Sequence, residues 1–262
     1  MISALYHVAI YYISALVRYS QTRHTLPSLI SDAQAAFIPR RRIGDTNLIA
    51  QELFHNYHRK DSPTRCAIKV ALLKAFESVR WEIVLYTLTL MSFPKKFVGW
   101  VRECITTPRF SVNLNWELVG FFGSSRGLRQ GHPLSSYLFV IIMEVLSILI
   151  AKRVEECPDF KFHWRCEKTR TMHLCFEDDL ILICGGNMQS VVALHRALED
   201  FMLFLGLTPN VTKSNVYIAG LDIRYKEMVQ NTFGFQLGDI PFICGLQASH
   251  WPHHLEDKEL DH

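Results

Sequence analysis

Asp178 and Asp179 stand side by side between two short apolar runs, Leu174-Cys175-Phe176 and Leu180-Ile181-Leu182-Ile183. Two carboxylates at the tip of such a hairpin build a poor core, because each loses hydration and each repels the other. They are well suited to hold a divalent cation. A β-turn accounts for the same pair, since Asp favours turns in its own right, and the local pattern leaves both readings standing. Gly127-Leu128-Arg129-Gln130-Gly131 is a second candidate: its glycines let backbone approach a ligand, and Gln130 offers both a donor and an acceptor. Arg40-Arg41-Arg42 is the densest basic run, a solvated loop on the ordinary reading and a phosphate contact on the other. His55 and His58 lie one helical turn apart with no companion at ligand spacing, and read as surface histidines.

The elements that must position these residues follow from periodicity. The Leu- and Ile-rich runs around Asp178 predict two buried strands. Residues 1 to 30 read as an amphipathic helix closing in a turn at Leu26-Pro27-Ser28, and Thr46 to Tyr57 has helical spacing in Leu48, Ile49, Leu53 and Phe54. Cys66 to Leu73 reads as a strand, and Lys74 to Tyr86 as a helix. Pro94 opens another helix with Phe97, Val98, Val101 and Ile105 on one side. Phe110, Val112 and Leu114 alternate with polar residues and Leu118 to Phe122 returns, a hairpin whose tight turn holds an unexpected Trp116. The Gln130 loop feeds an apolar helix running to about Ile150. A further helix carries Val191, Leu194, Leu198, Phe201 and Leu205 and stops at Gly206. Thr208-Pro209-Asn210 turns the chain, and Lys213-Ser214 precedes a strand from Asn215 to Ala219.

With 262 residues, 49% hydrophobic and 20% charged, the chain has ample length for a sizeable core and is not a disordered sequence. A net charge of +3 is too small to indicate nucleic acid by itself, so any such contact must use local basic patches. The seven scattered cysteines form no Cys-x-x-Cys pair, which predicts reduced thiols in an intracellular protein, nuclear or cytoplasmic, with no zinc finger. Met1 to Val17 lacks the basic start and cleavage site of a signal peptide. Leu134 to Ile150 approaches membrane-span length, but Glu144 sits in its middle, so a buried core helix and no membrane partner are expected.

Taken in order, the motifs resemble the reverse transcriptase of non-LTR (LINE-type) retrotransposons, particularly plant ones. Gln34-x-Ala36-Phe37 with Arg41-x-Ile43-x-Asp45 is similar to the family's fingers motif. Lys69-Val70-Ala71-Leu72-x-Lys74-Ala75-Phe76 is similar to the motif that carries the first catalytic aspartate. Gly127 to Ser135 resembles the glutamine-glycine loop, Phe176-x-Asp178-Asp179 the aspartate-pair box, and Asn210-x-x-Lys213-Ser214 the lysine motif. The resemblance implies an α+β right-hand polymerase over residues 1–242, with fingers at about 1–60 and 81–133 and palm at about 61–80 and 134–220. That palm would be an antiparallel sheet backed by helices, without a thumb, and residues 243–262 would be a divergent polar tail. It implies RNA-directed DNA synthesis on an RNA template and DNA primer, with a deoxynucleoside triphosphate as substrate. Two Mg²⁺ ions, replaceable by Mn²⁺, would be held by Asp178 and Asp179, which would be the catalytic residues. By the same resemblance Arg41 would bind the nucleotide, Phe76 would sit under its sugar, Gln130 and Gly131 would line the nucleotide and template, and Lys213 would lie near the phosphates.

The departures carry as much weight. Ala71 stands where the family has its first metal-binding aspartate, and alanine offers no oxygen. Glu77, in the helix six positions on, cannot take that place, and Glu177 should face away from Asp178 by strand alternation. His132 replaces an aspartate, Ser136 a proline and Arg40 a glycine. Both ends read as cut: the family's opening fingers arginine has no counterpart, and after Ile240-Pro241-Phe242 the family sequence is lost. The expected activity of this copy is therefore nil. A non-catalytic nucleic-acid-binding remnant and a translated pseudogene fragment are the alternatives to a working polymerase.

Overall fold

The computed structural model describes residues 26–57, 59, 62–176 and 179–238. Residues 1 to 25 of the helix expected over 1 to 30, and the tail over 243–262, lie outside them. The chain is helical over 26–29, where the sequence predicts a closing turn. Leu26 and Ile30 are one turn apart and both buried in the main core, so packing favours a helical turn at that point.

The described elements run α1 (Ile43–Phe54), β1 (Arg65–Ala71), α2 (Ala75–Ser78), α3 (Trp81–Leu90), α4 (Lys95–Thr106), β2 (Arg109–Leu114), β3 (Glu117–Gly123) and α5 (Pro133–Glu155). They continue with β4 (His173–Phe176), β5 (Asp179–Gly185), α6 (Met188–Leu205), β6 (Asn215–Ala219), α7 (Ile223–Phe233) and β7 (Gln236–Leu237). One sheet has the order β4-β5-β1-β6-β7, antiparallel except for its β6–β7 edge; β2 and β3 form a separate two-stranded hairpin. This is a mixed α+β fold with a central sheet backed by helices.

Strand alternation divides the apolar residues between two faces. Cys66, Ile68, Val70, Leu180, Leu182, Cys184 and Val216 enter the main core, together with α5 and α6. Ala67, Ile181, Ile183, Tyr217 and Ala219 point the other way, into a smaller cluster completed by Ala50, Leu53, Phe54 and Tyr57 around α1. The buried side of α1 is thus an i, i+3, i+4, i+7 stripe starting at Ala50, and Leu48 and Ile49, expected on the packed face, are exposed.

The predicted helix from Lys74 to Tyr86 is broken at Val79 and Arg80, both extended. Tertiary hydrogen bonds claim the backbone there: the Arg80 amide donates to Leu205 O at 3.2 Å, and Val79 O accepts from the Gly127 amide at 2.8 Å. α5 is long and apolar enough to cross a membrane, yet Leu138, Phe139, Val140, Ile141, Ile142, Met143, Leu146 and Ile150 are each at most 2% exposed. It is the core helix the sequence predicts, started by Pro133 in its first turn and capped by His132 Nδ1, which accepts from the Leu134 amide at 3.2 Å. Among the described residues, Cys66, Cys157, Cys166, Cys175 and Cys184 are free thiols.

Candidate active site

The candidate site lies at the end of the sheet where β1 stops and β5 starts. Asp178 is outside the described residues. Asp179 is the first residue of β5, half-buried, and its register partner on β1 is Ala71; on β4 it faces Phe176. Side chains of cross-strand partners project from the same face. The Ala71 methyl group and the Asp179 carboxylate therefore belong to one side of the sheet, the side that carries Ala67 and Ile181.

The lysine motif closes onto the same strand end. The Leu73 amide donates to Thr208 O at 2.8 Å and the Asn210 amide to Ala71 O at 2.8 Å, while Leu72 bridges to Pro209. Ser214 Oγ accepts from the Ala71 amide at 3.1 Å and donates to Asn210 O at 2.8 Å. These bonds end β1 at Ala71, two residues before the predicted end, and place the exposed Lys213 beside it. Ser214 was legible only as a neighbour of the lysine; nothing in the sequence marks it as the clasp between the two motifs.

The glutamine-glycine loop is bound to α2 and α3. The Leu128 amide donates to Phe76 O at 2.7 Å, and Trp81 Nε1 donates to Gly127 O at 2.6 Å. Gly127 has φ +94°, and a Cβ there would stand 2.6 Å from Glu77 O, so this position requires glycine. A cavity of about 220 Å³ opens beside the loop, lined by Glu77, Trp81, Arg126, Gln130 and His132 among others. Burial, and then the Arg129 guanidinium, lower the His132 imidazole below its ordinary range, which suits a neutral ring accepting the Leu134 amide. Gln130 and Gly131 are exposed. Phe76 is buried and stacks on Phe139 of α5, ring centroids 4.4 Å apart.

Arg41 is placed differently. Its guanidinium donates to Ser31 O at 2.5 Å, Gln34 O at 2.7 Å and Ile30 O at 2.8 Å, and meets Asp32 at 3.1 Å. The structure thus brings together Ala71, Asp179 and the Lys213 turn, and joins Phe76 to the Gln130 loop, while Arg41 ties down residues 30–34.

The two-ion chemistry implied by the motifs can be tested on the donors present. Ala71 supplies no oxygen to its rung with Asp179, and among the described residues no cluster of three or more His, Cys, Asp or Glu could hold a metal ion. The described residues do not fit a two-ion site.

A family model described as "Reverse transcriptase (RNA-dependent DNA polymerase)" matches residues 12–237. The chain is 29% identical over 181 residues to the Transposon TX1 uncharacterized 149 kDa protein of Xenopus laevis, covering 68% of this chain and 13% of that protein. It is 27% identical over 180 residues to the retrovirus-related Pol polyprotein of the type-2 retrotransposable element R2DM of Drosophila melanogaster, covering 69% and 16%. An uncharacterized mitochondrial protein of Arabidopsis thaliana is 43% identical over 66 residues, 25% of this chain and 54% of that one. The fold is similar to an apo telomerase of Candida tropicalis truncated from its C-terminal domain, with TM-score 0.58 and 14% identity, over 82% of this chain and 43% of that one. A Candida albicans telomerase gives TM-score 0.53 at 13% identity, over 76% and 33%.

Proposed function

The chain belongs to the reverse transcriptase (RNA-dependent DNA polymerase) family, resembling the Pol proteins of non-LTR retrotransposons, and from that premise we propose that it holds a primer–template without extending it. The observation that carries this reading is the last rung between β1 and β5, where Ala71 faces Asp179. In a working relative an aspartate at Ala71 and the Asp178–Asp179 pair would share two Mg²⁺ ions; here the bridging carboxylate is a methyl group. The fingers and palm divide along the chain as the motifs suggest, with Gln130 and Gly131 facing nucleotide and template, Phe76 under the sugar and Lys213 by the phosphates. The partners are an RNA template and a DNA primer, and the unused substrate is a deoxynucleoside triphosphate. Arg41 acts in this scheme by fixing the fingers segment on which any nucleotide contact depends.

The test is primer extension on an RNA template, with Mg²⁺ and with Mn²⁺, of the unaltered chain beside Ala71→Asp. A metal acting as Lewis acid contributes several kcal/mol at the transition state, so loss of a shared ligand should cost on the order of 10³-fold in turnover. The unaltered chain should bind primer–template and show no extension, and any extension should require Ala71→Asp. Extension by the unaltered chain at a rate that Ala71→Asp does not raise would overturn the reading.

A further inference from the structure

The β2–β3 hairpin is the part of the molecule that neither the sheet nor the loop cluster absorbs. Twelve of the thirteen residues in its two strands are exposed, and the exception, Phe110, is half-buried. It presents large apolar groups to solvent: Trp116 is 95% exposed, Leu118 76% and Phe121 73%, with Phe122, Leu114 and Val112 beyond half. A surface of this size on a folded domain marks an interaction site.

The turn adds a second, independent observation. Asn115 and Trp116 both have positive φ, +50° and +74°, the backbone of a type I′ turn. Glycine is the ordinary residue at the second of these positions. An indole there meets the left-handed strain of any L side chain and recovers no packing, since it is almost wholly in water.

Charge indicates what the surface meets. Between residues 95 and 130 there are six Lys and Arg, namely Lys95, Lys96, Arg102, Arg109, Arg126 and Arg129, against two acids, Glu103 and Glu117. This stretch carries a net +4 while the whole chain carries +3, so the rest of the molecule is slightly acidic. The cations are interleaved with rings. Arg109 lies over Phe121, 5.5 Å from its centroid, Lys96 lies over Trp100 at 5.3 Å, and Phe110 and Phe122 pair across the hairpin at 6.1 Å. A neutral apolar protein partner would satisfy the rings and leave the cations unmatched. A polyanion with flat, unpaired bases satisfies both.

We infer that the β2–β3 hairpin is a docking surface for single-stranded RNA, with Trp116 and Phe121 stacking on unpaired bases and Arg109 and Arg126 meeting the phosphates. In the scheme proposed above this strand is the unpaired part of the template. The inference rests on that reading for the identity of the RNA, but the surface itself is separate from the Ala71–Asp179 end of the sheet.

The experiment uses the full chain, a fluorescein-labelled oligouridylate and a blunt RNA–DNA duplex, with anisotropy as the readout. Trp116→Ala and Phe121→Ala should each weaken oligouridylate binding about tenfold, within the range of base–aromatic stacking. Trp116→Phe should retain most of the affinity, and duplex binding should stay the same in every variant. These residues lie in water, so the variants keep the fold; an unchanged melting transition verifies it. If the unaltered chain binds the duplex but not oligouridylate, or binds both and neither Ala variant weakens the single strand, the hairpin assignment is wrong and the proposed function stands. Failure to bind either probe sinks both. If sedimentation shows the unaltered chain to be a dimer that Trp116→Ala dissociates without loss of RNA affinity, the hairpin is an interface between copies and the assignment is again wrong.

Discussion

Arg40 has φ +68°, a left-handed conformation that glycine adopts without a Cβ penalty. The backbone there has a shape that glycine makes easy, and the arginine bears the strain. A non-glycine residue in that region costs roughly 1–2 kcal/mol, of which glycine's greater unfolded-chain entropy returns a part. Arg40→Gly should therefore raise the unfolding free energy by about 0.5–1 kcal/mol, read as a higher urea midpoint with unchanged slope. A lower midpoint would show that the arginine side chain contributes more than its backbone costs. At the same scale, alanine fits the end of the ladder: Ala71 keeps its register with Asp179 on β5, and its amide is taken by Ser214 Oγ at 3.1 Å.

Elements here are shaped by hydrogen bonds that cross between distant motifs. Residues 30–34 form no regular strand or long helix, and three of their carbonyls converge on the one guanidinium of Arg41. The neighbouring Asp32 carboxylate is fully solvated and adds little. Hydrogen bonds to a charged group are the strong ones, and their loss takes that donor from Ile30 O and Gln34 O, while Ser31 O keeps the Gln34 amide at 3.3 Å. Arg41→Ala should lower stability by about 2–3 kcal/mol in urea denaturation, while Arg42→Ala should change it by less than ~0.5 kcal/mol. Equal small effects from both would return Arg41 to the solvated run that its sequence context suggests.

For the molecule as a whole, pH exposes how the core was closed around polar groups. His163 and His173 are buried, and His163 Nε2 and His173 Nδ1 have no hydrogen-bond partner among the described residues. Desolvation pushes each imidazole down to about 4, helped at His163 by the Arg65 and Arg165 guanidiniums. The unfolded chain takes up protons near pH 6.5, while the folded chain refuses them until about 4. Stability from these groups is thus full above 6.5 and lost as pH falls through that window. Glu144 acts with the opposite sign: burial raises its carboxyl, against the hydrogen bonds of Ser31 and Ser147, so acidification relieves it. Two histidines against one carboxyl leave a net loss. Between about pH 7 and about pH 5 the unfolding free energy should fall by roughly 2 kcal/mol per histidine, and His173→Gln should remove about half of the decline. A profile that is flat, or that rises toward acid, would mean that these rings reach solvent.

Much of this protein was written in its sequence. The strands around Asp178, the hairpin at Trp116, the core helix after Pro133 and the stop at Gly206 follow from local periodicity and turn chemistry, which depend on near neighbours alone. The order of the motifs was enough to indicate the family. Tertiary structure decided what near neighbours cannot encode. The break at Val79 and Arg80 arises from partners at Gly127 and Leu205. Ser214 becomes the clasp of β1 only because the lysine turn folds back onto Ala71. The buried network of Ser31, Glu144, Ser147 and His173 joins residues up to 142 positions apart, with Ser31 and Ser147 Oγ at 3.2 Å and Ser147 Oγ and His173 Nε2 at 3.0 Å. Arg41 reads as one of three equivalent charges until the fold turns three carbonyls toward it. A side chain's type fixes which bonds it can make, and only the folded chain fixes which groups arrive within reach.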